Sequence, residues 1–245
     1  MWLKRGIQKV LSTFGYRLVP LASLPVFGLE RFFPLIRNSG FRPRNVWDVG
    51  ANHGNWTRAA IGFFPDAEYT LIEPQDDLKK HVEDLIRHGY KIRWINSGAG
   101  DRPGMLPLYV ATIDHSSSFL DSPRIMQEAV RSIETPMRTL NEIRATLSLP
   151  VPEMLKIDAE GLDLRVLEGA ADLLGRTEIV LAEGSIGQLD FENTARALLE
   201  AMDDYGYRLI DITDVLRSPN HDALWLCEFA FLLKSSELLK DASRY

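Results

Sequence analysis

Short apolar runs alternate with stretches of helical periodicity along most of this chain, and that alternation leaves few architectures open. "NVWDVG" reads as a short buried strand, and "NWTRAAIGFFP" then turns helical and must stop by Pro65. "EYTLIEP" is a second strand, followed by a helix through "DDLKKHVEDLIRHG" that Gly89 can cap, and "KIRWIN" is a third strand. "MLPLYVA" is an extra strand that Pro107 places at an edge, and "TLNEIRATL" is a short helix. "EMLKIDAEG", "LDLRVLEGAADLLG", "EIVLAEG" and "ENTARALLEAMDDYG" continue as strand, helix, strand and helix, before "YRLIDIT" and "LWLCEFAFLLK" close the chain as two apolar strands. Strands alternating with helices call for a mostly parallel, doubly wound α/β sheet covered on both faces. The two final strands, with no helix between them, are expected as an antiparallel C-terminal hairpin at one edge.

With 245 residues, 45% of them hydrophobic, the chain can build one sizeable core. Its charge divides it. Residues 1–44 hold eight basic side chains against Glu30, a net of +7, so with a total of −6 residues 45–245 carry −13. This predicts a basic N-terminal helical arm over 1–44 and an acidic main domain over 45–245. Leu3, Ile7, Val10, Leu11 and Phe14 share one helical face with Lys4, Arg5 and Lys9 largely off it, which suits either packing on the body or contact with an anionic membrane surface. Nucleic acid is not an expected partner, because the acidic body repels phosphates. The stretch "LVPLASLPVFGL" is cut by Pro20 and Pro25 and falls short of the roughly 18 apolar residues of a membrane span. Gln8, Lys9, Ser12 and Thr13 interrupt the apolar core that a signal peptide needs. The single Cys227 cannot form an internal disulfide, so the expected location is the reducing cytoplasm, with peripheral attachment to the inner membrane face as an extension.

In doubly wound sheets the ligand lies at the carboxyl ends of the strands, so the residues there are the ones to read. The first strand ends in "VWDVGANHGNW", a D-x-G-x-N-x-G loop in which Asp48 and Asn52 offer acceptors while Gly50 and Gly54 allow a tight turn. A dinucleotide loop of the G-x-G-x-x-G type would bring pyrophosphate against that acid. The loop suits instead a ligand with ammonium and sulfonium groups, as in S-adenosylmethionine. Glu73 follows Gly54 by 19 residues, close to the roughly 20 at which an acid takes ribose hydroxyls in nucleotide folds. Asp101, in "GAGDRPG", is placed to reach an adenine amino group, although the same stretch is also a good surface turn.

"VWDVGANHGNWT", "LIEP", "INSGAGD", "SSSF" and above all "LKIDAEGLDLRVLEGA" resemble, in this order, the landmarks of FkbM-family methyltransferases, whose pattern at the last is I-K-I-D-V-E-G-x-E-x-x-V-L-x-G-A. The resemblance spans about residues 45 to 185, with Ala159 where the family commonly has Val and Asp163 where it often has Glu. It implies a Rossmann-like class I methyltransferase fold using S-adenosylmethionine. It also implies O-methylation of a hydroxyl on a sugar, glycolipid, polyketide or related natural product. By the same likeness Asp48, Gly50, Asn52 and Glu73 hold the cofactor.

Asp158 and Glu160, two apart at a strand end, point to one side of an extended backbone and can converge on one site. One would orient or deprotonate an acceptor hydroxyl while the other holds the cofactor's methionine end, unless one of them caps the helix starting near Leu162. His115, in "DHSSSF", is a second candidate base. No HxxxH or CxxC spacing occurs, and no dedicated transition-metal site is expected; Asp158 and Glu160 could bind magnesium, but two carboxylates alone do not establish it. Residues 112–135, rich in Ser, Asp and Arg, suit equally a substrate-covering loop and ordinary surface. Two other readings stand beside the methyltransferase. An NAD(P)-dependent oxidoreductase on a similar sheet is disfavoured by Asp48 and by the missing third glycine. A non-catalytic domain that binds cofactor or glycan would carry the same residues.

Overall fold

The structure is a computed structural model that describes residues 27–111, 118–119, 129–187, 192–218 and 221–240. Its first element is helix α1 (Leu29–Asn38), in which Leu29, Phe32, Phe33 and Ile36 recur at helical spacing and the last three are fully buried. Strand β1 (Asn45–Val49) leads through the glycine loop into α2 (Asn55–Phe63), and β2 (Glu68–Glu73) follows. A 3₁₀ turn (Asp76–His81), α3 (Glu83–Arg87) and β3 (Lys91–Asn96) complete the first half of the sheet. Next come β4 (Gly98–Ala99), β5 (Gly104–Ala111), β6 (Ala129–Arg138) and α4 (Leu140–Leu147). The chain then runs through β7 (Met154–Ile157), α5 (Asp163–Glu168), β8 (Ile179–Ser185), α6 (Ala195–Asp204), β9 (Tyr207–Arg217) and β10 (Leu224–Leu233).

Seven strands form the main sheet in the order β3-β2-β1-β7-β8-β10-β9. The first five are parallel, and β10 inserts antiparallel between β8 and β9. This is the doubly wound fold that the strand–helix alternation predicts. The final hairpin lies at an edge as expected, with the last strand on its inner side. Burial explains that order: Cys227 through Leu232 of β10 are all buried, whereas β9 leaves Leu209 and Leu216 exposed. Alternate side chains feed two cores, Trp47, Leu155 and Val180 on one face and Val46, Met154 and Leu181 on the other.

Three elements differ from the periodicity reading. The helix expected through residues 76–88 breaks into the 3₁₀ turn and α3 at Val82, whose fully buried side chain packs where a Cβ on Gly54 would fall 2.5 Å from Val82 Cγ1. The helix expected over 162–175 stops at Gly169, where the backbone passes so close to the Gly100 carbonyl that a Cβ would sit 2.0 Å from it. "AVRSIETPMR", inside and just beyond the region read as a loop, is strand β6 of a small second sheet, β4-β6-β5. Arg131, Ser132 and Glu134 are exposed on it, as is Val130, so its apolar alternation is weak. β5, with Pro107, is an edge strand of this second sheet, as the proline requires.

α1 belongs to the sequence stretch set apart by its basic charge, yet it seals the second core by packing on α2 and β9. Phe33 meets Trp56 edge-on at 5.7 Å and Phe64 at 5.9 Å between ring centroids. Phe33→Ala is expected to lower the unfolding free energy by about 3–5 kcal/mol. Urea unfolding followed by tryptophan fluorescence checks this; a loss under about 1 kcal/mol would mean that α1 is dispensable to the core.

Candidate active site

The carboxyl ends of β1, β2 and β7 open on one crevice of about 700 Å³. Its geometry starts from the loop after β1. Gly50 has φ +75°, and a Cβ there would lie 1.8 Å from the Asp158 carbonyl oxygen, so only glycine lets the two strand ends meet. The Gly50 N–H donates to the Ile72 carbonyl and the Asp158 N–H to the Val49 carbonyl, which ties β1, β2 and β7 together at the crevice floor. Asn52 holds φ +47°, and its N–H donates to Glu73 Oε2 at 2.9 Å. The Gln75 N–H donates to Glu73 Oε1, also at 2.9 Å. Two backbone donors thus fix the Glu73 carboxylate against the crevice wall. Burial pushes its pKa up to about 7 despite those hydrogen bonds.

Asp48 lies beneath the loop and does not line the crevice. It is fully buried, accepts the Thr57 hydroxyl at 2.6 Å, and faces Lys156 across paired strands, with Nζ to Oδ1 at 3.5 Å. Lys156 also donates to Asp158 Oδ2 at 2.9 Å and to the Gly50 carbonyl at 3.4 Å. Burial opposes the Lys156 charge, but the carboxylates of Asp158, Asp48 and Glu228 outweigh it and raise the pKa. Among the described residues lining the crevice, Lys156 is the one lysine or arginine, set against Glu30, Glu73, Asp158, Glu160, Glu183, Asp214 and Glu228.

Asp158 and Glu160 both line the crevice, as expected, but not by extended geometry. β7 ends at Ile157, and Glu160 and Gly161 take φ +50° and +99°, so a tight left-handed turn brings the two carboxylates together. Neither caps α5, whose N-terminus has no side-chain cap. Burial, then the neighbouring Asp158 and Asp163 charges, push Glu160 up to about 9. Burial likewise raises Glu183 well above the usual carboxylate range.

Gly54, with φ +74°, precedes α2 as its N-cap and shapes the loop without lining the crevice. Asp101 is not among the lining residues either; it borders a separate, smaller depression with Arg102 and Arg165, while Ser97, Gly98 and Ala99 form the crevice wall after β3. His115 lies outside the described residues. Among the described residues no group of three or more His, Cys, Asp or Glu is arranged to hold a metal ion.

Sequence reasoning passed over Lys156, Asp163, Thr213 and Glu228. Lys156 and Glu228 carry a signal, because each is a lone charge inside an otherwise apolar strand, "MLKI" and "LWLCEFAFLL". Glu228 is 5% exposed and accepts the Thr213 hydroxyl. Asp163, fully buried, accepts Asn193 Nδ2 at 3.0 Å and the Glu183 N–H at 3.4 Å, and so holds the end of β8.

A parallel sheet with one reversed strand before its last edge, and an acid-lined crevice over the glycine loop, define a Rossmann-like class I methyltransferase architecture. The family model "Methyltransferase FkbM domain" matches residues 48–209, and the chain belongs to that family. Among solved structures, it is similar to the methyltransferase FkbM from Methylobacillus flagellatus KT, at 15% identity and TM-score 0.48 over 77% of this chain and 43% of that one. This chain therefore spans less than half the length of that protein. It is similar also to precorrin-6y C5,15-methyltransferase from Geobacter metallireducens GS-15, at 12% identity and TM-score 0.49 over 84% and 87% of the two chains. A third likeness is to the N-methyltransferase NodS from Bradyrhizobium japonicum WM9, at 8% identity and TM-score 0.46 over 82% and 93%. Comparison with curated proteins gives no match.

The described residues fit S-adenosylmethionine. Acceptor oxygens rather than phosphate-binding cations line the crevice, and Glu73 is fixed with its carboxylate on the wall.

The site's protons have a consequence for stability. Burial, partly offset by Lys156, pushes Glu228 up to about 7 from its usual 4.5, so the folded chain binds this proton more tightly than the unfolded one. The resulting stability is full below about pH 4.5 and is lost as pH rises through about 7. Glu228→Gln, which cannot titrate, is expected to match the parent near pH 5 and to gain on it by about 1.4 kcal/mol per pH unit up to neutrality. Urea unfolding of both proteins from pH 5 to 8 checks this, and parallel curves would refute it.

Proposed function

We propose that this chain is an S-adenosylmethionine-dependent O-methyltransferase acting on a hydroxyl of a carbohydrate, glycolipid or related metabolite. The observation that carries the reading is the pairing of Asp158 with the buried Lys156 on the floor of an acidic crevice, next to a Glu160 that holds its proton up to about 9. S-adenosylmethionine supplies an electrophilic methyl group when bound. Glu73, oriented by the Asn52 and Gln75 N–H groups, takes ribose hydroxyls, and the loop glycines let the backbone approach the ligand. Glu160 would hold the cationic methionine end, and a positive charge there would favour loss of its proton. Asp158 hydrogen-bonds the acceptor hydroxyl and takes its proton as the methyl moves, so the poor acidity of a sugar hydroxyl does not stop transfer. The remaining rate comes from alignment of donor and acceptor.

This division of labour is testable with labelled S-adenosylmethionine and hydroxylated acceptors. Asp158→Asn is expected to reduce turnover by about 100-fold or more with cofactor affinity little changed. Glu160→Gln should chiefly weaken cofactor binding. Full turnover in both variants would remove the site assignment, and cofactor binding with no transfer to any acceptor would favour a binding domain.

The basic charge and apolar spacing of residues 1–20 in the sequence, which lie outside the described residues, support a second proposal, peripheral contact with an anionic membrane surface. Among the described residues no helix is long and apolar enough to cross a membrane. The full chain should co-sediment with vesicles containing anionic lipid more than a version lacking residues 1–20, and less so at high salt. Equal recovery of the two would end the idea.

A further inference from the structure

The small second sheet borders the crevice through Gly98 and Ala99 of β4 and Leu108 of β5. β4 follows directly on β3 and pairs with β6, and β6 pairs with β5. Tyr109 of β5 exchanges two backbone hydrogen bonds with Ser118: the Tyr109 N–H donates to the Ser118 carbonyl at 2.9 Å, and the Ser118 N–H to the Tyr109 carbonyl at 3.0 Å. That bridge fixes Ser118 and Phe119 at the crevice wall. Phe119 lines the crevice beside Gly98, where a Cβ would fall 2.8 Å from Phe119 Cζ. Ser118 is 4% exposed, and its hydroxyl donates to the Glu160 carbonyl at 3.0 Å. The second sheet thus links the end of β3 to the turn after β7, which β2 and β1 separate in the main sheet.

Glu160 and Gly161, at φ +50° and +99°, are the central residues of a turn that the Leu162 N–H closes on the Ala159 carbonyl at 3.2 Å. With glycine in the second central position, a turn can equally form with the preceding residue at negative φ. That alternative would spare Glu160 the left-handed conformation, which is costly for a residue with a Cβ, and would send its side chain in another direction. The observed form therefore depends on contacts from outside the turn. Among the described residues no backbone N–H donates to the Glu160 carbonyl, and the Ser118 hydroxyl is the donor that satisfies it. We propose that Ser118 is a positioning residue of the methyl-transfer site: through its hydrogen bond to the Glu160 carbonyl it holds the left-handed turn that brings the Glu160 carboxylate into the crevice with Asp158. This rests on the reading of Glu160 as the group that holds the cofactor's methionine end.

The test is isothermal titration of the full chain with S-adenosylmethionine. Ser118→Ala is expected to bind about tenfold more weakly than the parent. If Ser118 acts through Glu160, the two losses do not add: Ser118→Ala combined with Glu160→Gln should bind within about twofold of Glu160→Gln alone. A second pair of variants separates the hydroxyl from the space it fills. Ser118→Thr and Ser118→Val share one shape and differ in the donor, so the threonine variant should bind about fivefold or more tighter than the valine variant, whatever either change does to stability. Parent affinity in Ser118→Ala, equal affinities of the threonine and valine variants, or additive losses in the double variant would each overturn the inference and leave the assignment of Glu160 intact. Parent affinity in Glu160→Gln would remove that assignment and the inference with it. Failure of the folded parent chain to bind S-adenosylmethionine would remove the cofactor reading as well.

Discussion

A lysine at the centre of a parallel sheet is the interaction on which the rest of this site depends. Lys156 sits between Met154 and Ile157 in a strand buried on both faces, where an isolated ammonium would cost far more than folding can supply. It is tolerated because Asp48, directly across the β1–β7 ladder, and Asp158, two residues on, lie within ion-pair reach, and because the Gly50 carbonyl accepts a third contact. Those contacts fix three things at once: the foot of the cofactor loop, the end of β7 and the direction of the Asp158 carboxylate. A buried charge network of this kind adds little net stability but holds its members in a definite geometry.

The backbone supplies what side chains cannot. Gly50 permits an approach to Asp158 that a single methyl group would block, and the positive φ values at Asn52, Glu160 and Gly161 turn two strand ends inward over a short distance. Left-handed conformations at Asn52 and Glu160 are costly for residues with a Cβ. They occur here in the two turns that bring acceptor oxygens to the crevice. Strain and site coincide.

Crowded carboxylates make the crevice a reservoir of protons. Glu73, Glu160, Glu183 and Glu228 are all shifted upward, chiefly by burial, so a further cation in the crevice favours their charged forms. Under the proposed function, the sulfonium and ammonium groups of the cofactor are such cations. Cofactor binding and proton release are then two sides of one equilibrium.

The order of strands and helices could be read from the sequence, because apolar periodicity reports burial and burial dictates sheet and helix faces. So could the glycine loop, Glu73 and the Asp158–Glu160 pair, since strand ends in a doubly wound sheet converge whatever the side-chain details. Lys156 and Glu228 were visible only as lone charges in apolar strands. Their meaning depends on the β1–β7 register and on β10 lying between β8 and β9, pairings between segments far apart in the chain. The same dependence moved Asp48 beneath the loop, left Asp101 outside the crevice, broke the expected helix at Val82 and recruited α1 into the core. Local sequence sets which residues want burial and which turns are open to glycine. Only tertiary packing decides which charges meet, because a charge pair is chosen by distance in space and sequence spacing carries no record of it.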